Sequence, residues 1–152
     1  MKILDFLHKD TILVNLKSYD KKGVLGELAA PVAQATGLDP ENLVGVLMER
    51  ERLGSTGIGG GIGIPHGKLK ILDSLTLAFG LSRKGVDFES MDGRPTHIFF
   101  LLVTPENSTG VHLKLLARIS RLLKNDHFKS KLLNAEDSDE VLRIIKEEDE
   151  EF

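Results

Sequence analysis

Ile62-Gly63-Ile64-Pro65-His66-Gly67-Lys68, preceded by Gly57-Ile58-Gly59-Gly60-Gly61, sets one histidine between a rigid proline and a permissive glycine. Pro65 fixes its own φ and holds Ile64 extended. Gly67 lets the backbone turn directly after the ring. The alternation of Ile62 and Ile64 reads as the end of a strand. His66 is therefore expected at a strand tip, in a crowded backbone environment with little side-chain bulk beside it. Another molecule can touch a ring placed there. The same placement also suits an ordinary turn histidine.

Upstream, Asp39-Pro40 reads as the cap and first residue of a helix, with Leu43, Val44, Leu47 and Met48 as its buried stripe and Gly54 at its close. Arg50 and Glu51 lie near its C-terminal end, so a rigid element carries them toward the glycine run and His66. The plain reading of Arg50 is a solvated cation that complements the helix dipole. Before this helix, Val24, Leu25, Leu28, Ala29, Val32 and Ala33 share one amphipathic face that Gly37 ends. Pro31 falls inside it and is expected to kink or divide it, since an interior proline costs about 3 kcal/mol. Asp20-Lys21-Lys22-Gly23 reads as a turn. Ile12, Val14 and Leu16 alternate as a first strand, and Ile3, Leu4, Phe6 and Leu7 as a short helical turn docked on the body.

Downstream, Leu75, Leu77, Phe79 and Leu81 alternate with Thr76, Ala78, Gly80 and Ser82, the pattern of a half-buried strand. Residues 84–95 read as a loop with a turn at Asp92-Gly93. Ile98-Phe99-Phe100-Leu101-Leu102-Val103 is continuous and apolar, as a central strand covered on both faces must be, and Pro105 ends it. Three helices should follow. His112, Leu115, Leu116, Ile119, Leu122 and Leu123 face the core in the first. Phe128, Leu132 and Leu133 do so in the second. Val141, Leu142, Ile144 and Ile145 do so in the third, capped by Asp137 or Ser138. Strands flanked by helices on either side predict an α/β fold, a three-layer α/β/α sandwich with a central mixed β-sheet, in one domain over residues 1–152.

The chain has 152 residues, 41% apolar and 28% charged, the composition of one globular domain. No apolar run approaches a membrane span, and the N-terminus lacks the pattern of a secretory signal. Absence of cysteine removes disulfides and thiolate chemistry and fits a cytoplasmic protein. The net charge is −3, and much of it sits in Glu147-Glu148-Asp149-Glu150-Glu151, expected as a frayed, solvated tail over about residues 147–152. The body is then near neutral without a basic cluster. With no Trp and one Tyr it also lacks a stacking platform, so a nucleic-acid surface is not expected.

The glycine run invites a nucleotide-binding reading that fails on spacing. A phosphate loop ending at Gly67-Lys68 needs glycine where Ile62 stands and Ser or Thr where Leu69 stands. A dinucleotide fingerprint from Gly57 or Gly59 meets Ile62 or Ile64 where it needs glycine. The glycines are instead expected to bring backbone close to His66. The histidines, His8, His66, His97, His112 and His127, show no paired metal-ligand spacing, although His66 and His112 could meet in space with a carboxylate. No Gly-x-Ser-x-Gly elbow is present. Neither cofactor nor metal is expected. A phosphoryl-accepting histidine fits the residues better. It needs one free ring nitrogen, a partner on the other, and donors around the phosphoryl oxygens. His66, the amides of the glycine-rich turn, Arg50 as a bidentate fork and His112 as a second donor can supply these parts. His112 would open a helix whose first-turn amides also favour an anion. On spacing alone His112 is equally a half-buried residue completing an apolar face.

The block Glu49-Arg50-Glu51-Arg52-Leu53, Thr56-Gly57-Ile58-Gly59 and Ile62-Gly63-Ile64-Pro65-His66-Gly67 resembles the enzyme IIA domain of the fructose/mannitol type in the phosphoenolpyruvate-dependent phosphotransferase system. That pattern runs from an acidic or amide residue to apolar-Ala-apolar-Pro-His-Gly. Glu51, Ile58, Gly59, Ile62, Ile64, Pro65, His66 and Gly67 match it, and Gly63 replaces the usual alanine. Pro105-Glu106-Asn107 leading to His112-Leu113 extends the likeness over nearly the whole chain. The resemblance implies that His66 accepts a phosphoryl group, on Nε2, from a histidine phosphocarrier, HPr or its nitrogen-branch counterpart. It implies His112 and Arg50 as phosphate-stabilising neighbours. Two branches follow from it: a nitrogen regulatory IIA protein that controls partner proteins through its phosphorylation state, and a free-standing sugar component that passes the group to a IIB domain. Ser55-Thr56-Gly57-Ile58-Gly59 and Gly67-Lys68 look more like the nitrogen branch. From other classes, a binding module that no longer uses the histidine and a metal-dependent hydrolase built on His66 and His112 remain as alternatives.

Overall fold

The apolar run 98–103 lies at the centre of a six-stranded mixed sheet. The computed structural model describes residues 2–150. A 3-10 turn, Ile3–Asp5, leads into β1 (Leu7–Leu13), α1 (Lys21–Thr36), α2 (Pro40–Arg52), β2 (Gly57–Gly59), β3 (Ile62–Gly63), β4 (His66–Leu69), β5 (Thr76–Val86), β6 (Thr96–Pro105), α3 (Thr109–Leu122), α4 (Asp126–Leu133) and α5 (Ser138–Glu150). The strand order is β1-β5-β6-β3-β2, with β4 also on β6. β5 runs antiparallel to β6, while β3 and β4 follow one another parallel to β6, Ile62 beside Ile98 and His66 beside Leu102.

Alternation along β6 makes two cores. Ile98, Phe100 and Leu102 face Leu115, Ile119, Phe128 and Ile145 of α3, α4 and α5. Phe99, Leu101 and Val103 face Val24, Leu28, Leu43 and Leu47 of α1 and α2. The three-layer sandwich with a mixed sheet is therefore as the sequence predicts. Among the described residues no helix is long and apolar enough to cross a membrane.

Several local expectations are corrected. The first strand is β1, not the alternation at 12, 14 and 16. Ile12 belongs to one core and Leu16 to the other, so an unbroken strand cannot hold both. Asp20-Lys21-Lys22-Gly23 is a helix start, because the Asp20 carboxylate accepts from the Gly23 amide at 2.8 Å. α1 runs undivided through Pro31. The carbonyl left without a partner is that of Glu27, on a partly exposed position where water can serve it. β5 is buried on both faces, since the intervening Ala78, Gly80 and Ser82 pack beneath α1, and it continues through Val86 into the expected loop.

The acidic tail is corrected too. α5 reaches Glu150, and Asp149 is only 1% exposed. Asp149 continues the buried row Val141, Ile145 at a spacing of four, where an apolar residue would otherwise stand. Its carboxylate accepts from the Ile3 amide at 2.7 Å and from Arg118 Nε, and Lys2 Nζ donates to its carbonyl at 2.9 Å. The C-terminal helix is thus tied to the N-terminus. Glu151 and Phe152 lie outside the described residues.

Replacing Asp149 by Ala should lower unfolding free energy by about 2–3 kcal/mol, less than a fully buried pair because Arg118 is partly exposed. Urea denaturation followed by circular dichroism checks this. A loss below about 0.5 kcal/mol would show that Asp149 does not hold the two termini together.

Candidate functional site

β4 opens on His66 and turns Lys68, two residues on, to the same side. α2 lies over this strand, and a Cβ on Gly67 would sit 3.0 Å from Val46 and 3.4 Å from Leu47. Glycine at 67 thus lets the helix carrying Arg50 close on the strand carrying the ring. β6 ends at Pro105, beside Leu69, and the chain turns directly into α3. Arg50, His66, Lys68, Thr109, His112 and Leu113 meet in one open cleft of about 510 Å³. The three residues singled out from the sequence, His66, His112 and Arg50, are together.

The Nδ1 of His66 is 2.8 Å from the Ile64 carbonyl oxygen. A carbonyl can only accept, so Nδ1 carries the proton and Nε2 keeps its lone pair. Burial pushes the ring pKa below its ordinary value, and the charges of Arg50 and Lys68 push the same way. The bond to Ile64 and the charge of Glu51 oppose them without prevailing. At neutral pH the ring is an uncharged nucleophile with its tautomer set.

The rings of His66 and His112 meet edge to face, 5.2 Å between centroids at 72°. His112 is 4% exposed, and its pKa is lowered by burial first, then by His66 and Lys68. Its Nδ1 lies 3.2 Å from the Thr104 hydroxyl, which is also 3.5 Å from the Gly67 carbonyl. Thr104 donates its one hydroxyl proton to the Gly67 carbonyl, so His112 Nδ1–H donates to the Thr104 oxygen, and Nε2 can donate to an anion once the ring is protonated. His112 does not open its helix. α3 begins at Thr109, and the His112 amide is already bonded to the Ser108 carbonyl at 3.0 Å. The first-turn amides are those of Thr109, Gly110 and Val111. Arg50 donates to the Gly54 carbonyl at 3.0 Å and forms no ion pair among the described residues.

The glycine run does not surround His66, contrary to expectation. Gly59, Gly60 and Gly61, at φ of 95°, 68° and 80°, form the turn between β2 and β3. The Gly61 carbonyl accepts from His97 and Ile98 at the start of β6, whereas His66 lies beside Leu102. The amides of that turn are therefore no donors at this cleft. Among the described residues no third His, Asp or Glu joins His66 and His112 to complete a metal-ligand set.

Sequence reasoning missed the support beneath the ring. Glu51 is 3% exposed in its side chain and pairs with Lys21 Nζ at 2.8 Å. It also accepts from the Thr56 amide at 3.0 Å and from the Thr56 hydroxyl. The Thr56 carbonyl accepts the Ile64 amide at 3.0 Å, and the Ile64 carbonyl holds His66. Glu51 stands in the quoted motif, but nothing in the spacing signalled Lys21, Thr104 or Thr109.

The chain matches the family of the phosphoenolpyruvate-dependent sugar phosphotransferase system, EIIA 2, over residues 5–148, and it belongs to that family. It is 41% identical over 145 residues to the nitrogen regulatory protein of Bradyrhizobium diazoefficiens, covering 95% of each chain. It is 39% identical over 150 residues to the fructose-specific EIIABC component of the phosphotransferase system of Bacillus subtilis, covering 98% of this chain and 24% of that longer protein. The crystal structure of nitrogen regulatory protein IIA-Ntr from Neisseria meningitidis superposes with a TM-score of 0.88 at 30% identity, over 93% of this chain and 97% of that one.

Two measurements follow from this geometry. The His66 ring should titrate below 6.5, the ordinary imidazole value. The neutral acceptor therefore persists as pH falls through 6.5, and nitrogen-15 NMR should show its proton on Nδ1; a midpoint above 6.5 would contradict the electrostatics described. Glu51→Ala leaves Lys21 buried without its principal partner. Chemical denaturation should register a loss of about 3–5 kcal/mol, and a loss near zero would remove Glu51 from the supporting chain.

Proposed function

We propose that this EIIA-type chain carries a phosphoryl group on Nε2 of His66, taken from a histidine phosphocarrier of the HPr or nitrogen-branch kind. The observation that bears most weight is the 2.8 Å bond from Nδ1 to the Ile64 carbonyl, which leaves Nε2 as the one nucleophilic nitrogen of that ring. The incoming phosphoryl group is bound to a protonated donor imidazole. As the donor N–P bond breaks, a new bond forms to Nε2, and the donor ring leaves neutral. His66 keeps its Nδ1 proton and becomes a phosphorylated imidazolium, whose positive ring the Ile64 carbonyl stabilises.

Arg50 and His112 serve the transferring group. Arg50 gives up its bond to the Gly54 carbonyl, an exposed contact that water can replace. His112 donates from Nε2 as an imidazolium, a charge that the phosphoryl dianion favours, with Thr104 accepting from the other nitrogen. The three oxygens gain charge-assisted donors while the developing charge is spread over them. Leu53, 85% exposed, and Leu113, 58% exposed, rim the cleft with apolar surface that suits a docking protein. Such a docked donor would bring its own phosphohistidine to Nε2.

The output is regulatory in this reading. The chain would bind and release partner proteins according to its phosphorylation state, in the cytoplasm; a regulatory output agrees with the relatives called nitrogen regulatory proteins. The fructose-specific relative at similar identity keeps the second reading in view, a free-standing component passing the group to a IIB domain. Donor preference separates the two.

Incubation with phosphoenolpyruvate, enzyme I and each phosphocarrier, followed by intact mass, should add one acid-labile phosphoryl group. His66→Ala should add none while keeping its fold. Arg50→Ala and His112→Ala should still be labelled, about ten- to a hundredfold more slowly. Normal labelling of His66→Ala would overturn the assignment, and a parent chain that takes no label from any donor would leave a binding module as the better reading.

A further inference from the structure

Lys68 is exposed, lines the cleft and forms no ion pair among the described residues. Its Nζ instead donates to the Thr109 hydroxyl at 3.0 Å, across the gap between β4 and the first residue of α3. The strand places it on the same side as His66. Glu49, the acidic residue of the cleft lining, is occupied by Arg52 at 2.6 Å. A cation aimed into an anion-binding cleft, held only by a neutral hydroxyl, is available to an incoming dianion. A hydroxyl bond at an exposed position is worth little in water and is readily exchanged for a charge-assisted one.

We infer that Lys68 is a further ligand of the phosphoryl group on His66, and that phosphorylation moves its Nζ from the Thr109 hydroxyl to a phosphoryl oxygen. The inference rests on the carrier reading of His66. Arg50 approaches the group from α2, His112 from α3, and Lys68 from the strand that bears the acceptor, so the three cover different sides. The exchange also frees the Thr109 side chain at the start of α3, on the turn that carries the exposed Val111 and Leu113. Gain of the phosphoryl group is thereby written into a surface that a partner protein can read.

The test uses the full chain with Lys68→Gln, Lys68→Arg and Thr109→Val, labelled by a phosphorylated phosphocarrier and, separately, by phosphoramidate. The small donor needs no protein docking surface. Lys68→Gln should be labelled about tenfold more slowly with both donors, and Lys68→Arg should recover most of the rate. In phosphorus-31 NMR the phosphoryl group of Lys68→Gln should titrate about 0.5 to 1 higher in pH than the parent, because a neighbouring positive charge has been removed. Thr109→Val should keep the parent's phosphorus titration, since Thr109 holds Lys68 only in the unphosphorylated state. Slowing with the phosphocarrier alone would make Lys68 a docking residue and overturn the inference. So would an unchanged phosphorus titration in Lys68→Gln. If the parent chain takes no label from either donor, the carrier reading itself falls and this one with it; a labelled parent beside an unaffected Lys68→Gln removes only the role of Lys68.

Discussion

One buried carboxylate governs the site. Glu51 sits at the end of α2 with almost no contact with water, so its charge must be met inside the protein. Lys21 at the start of α1 meets it on one side, and the Thr56 amide and hydroxyl on the other. The start of α1, 30 residues upstream, and the segment entering β2, five residues downstream, are thereby fixed to one carboxylate. From Thr56 the constraint passes to the Ile64 amide, and from the Ile64 carbonyl to His66 Nδ1. A ring beside a glycine would otherwise turn freely. Here its tautomer, its plane and the direction of its free nitrogen descend from a salt bridge that touches neither ring nor ligand.

The electrostatics divide between a buried interior and an open rim. Glu51 and Lys21 neutralise one another beneath the site, in low dielectric where pairing is obligatory. Arg50 and Lys68 stand at the exposed edge, bonded to neutral oxygens. Burial is the largest influence on His66, and it acts in the same direction as the two cations. All three favour the uncharged ring before transfer. In the proposed transfer the phosphoryl dianion would supply the negative charge that the rim cations lack. The same cations that keep the empty ring neutral can then stabilise the loaded one.

Long-period features were the legible ones. Residues 98–103 could only be a central strand, and the apolar rows of α2, α3, α4 and α5 read directly into helices on two faces. What failed was local and had tertiary causes. The position of β1 depended on which core Leu16 joins. The burial of β5 depended on α1 covering its small residues, and the order of the C-terminal helix on a carboxylate paired with Arg118. Arg50, His66 and His112 were found because they stand in or near a motif. The glycine run was misplaced because a turn of positive φ and a close approach to a ring look alike in sequence. Lys21, Thr104 and Thr109 act on partners 30, 8 and 41 residues away, at separations that no periodicity marks.

The openness of the cleft matters to a carrier as much as its charges do. A phosphoryl group that is accepted must also be given away, so its ligands cannot hold it far more strongly than the donor or the next acceptor. Ion pairs at exposed positions are each worth about 0.2–1 kcal/mol, whereas buried pairs lose about 3–5 kcal/mol when broken. This chain places its unpaired cations in the first setting and reserves the second for Glu51 and Lys21. Firm positioning is thus separated from modest binding. In the proposed transfer the nucleophile is fixed from beneath by hydrogen-bonded backbone and buried charge, and the phosphoryl group would be met from above by side chains that can leave. A pocket that buried Arg50 and Lys68 with the group would retain it, and a ring without the Glu51 support would present either nitrogen. In the proposed carrier role, the division of labour between the two layers would let His66 serve as acceptor and as donor in turn.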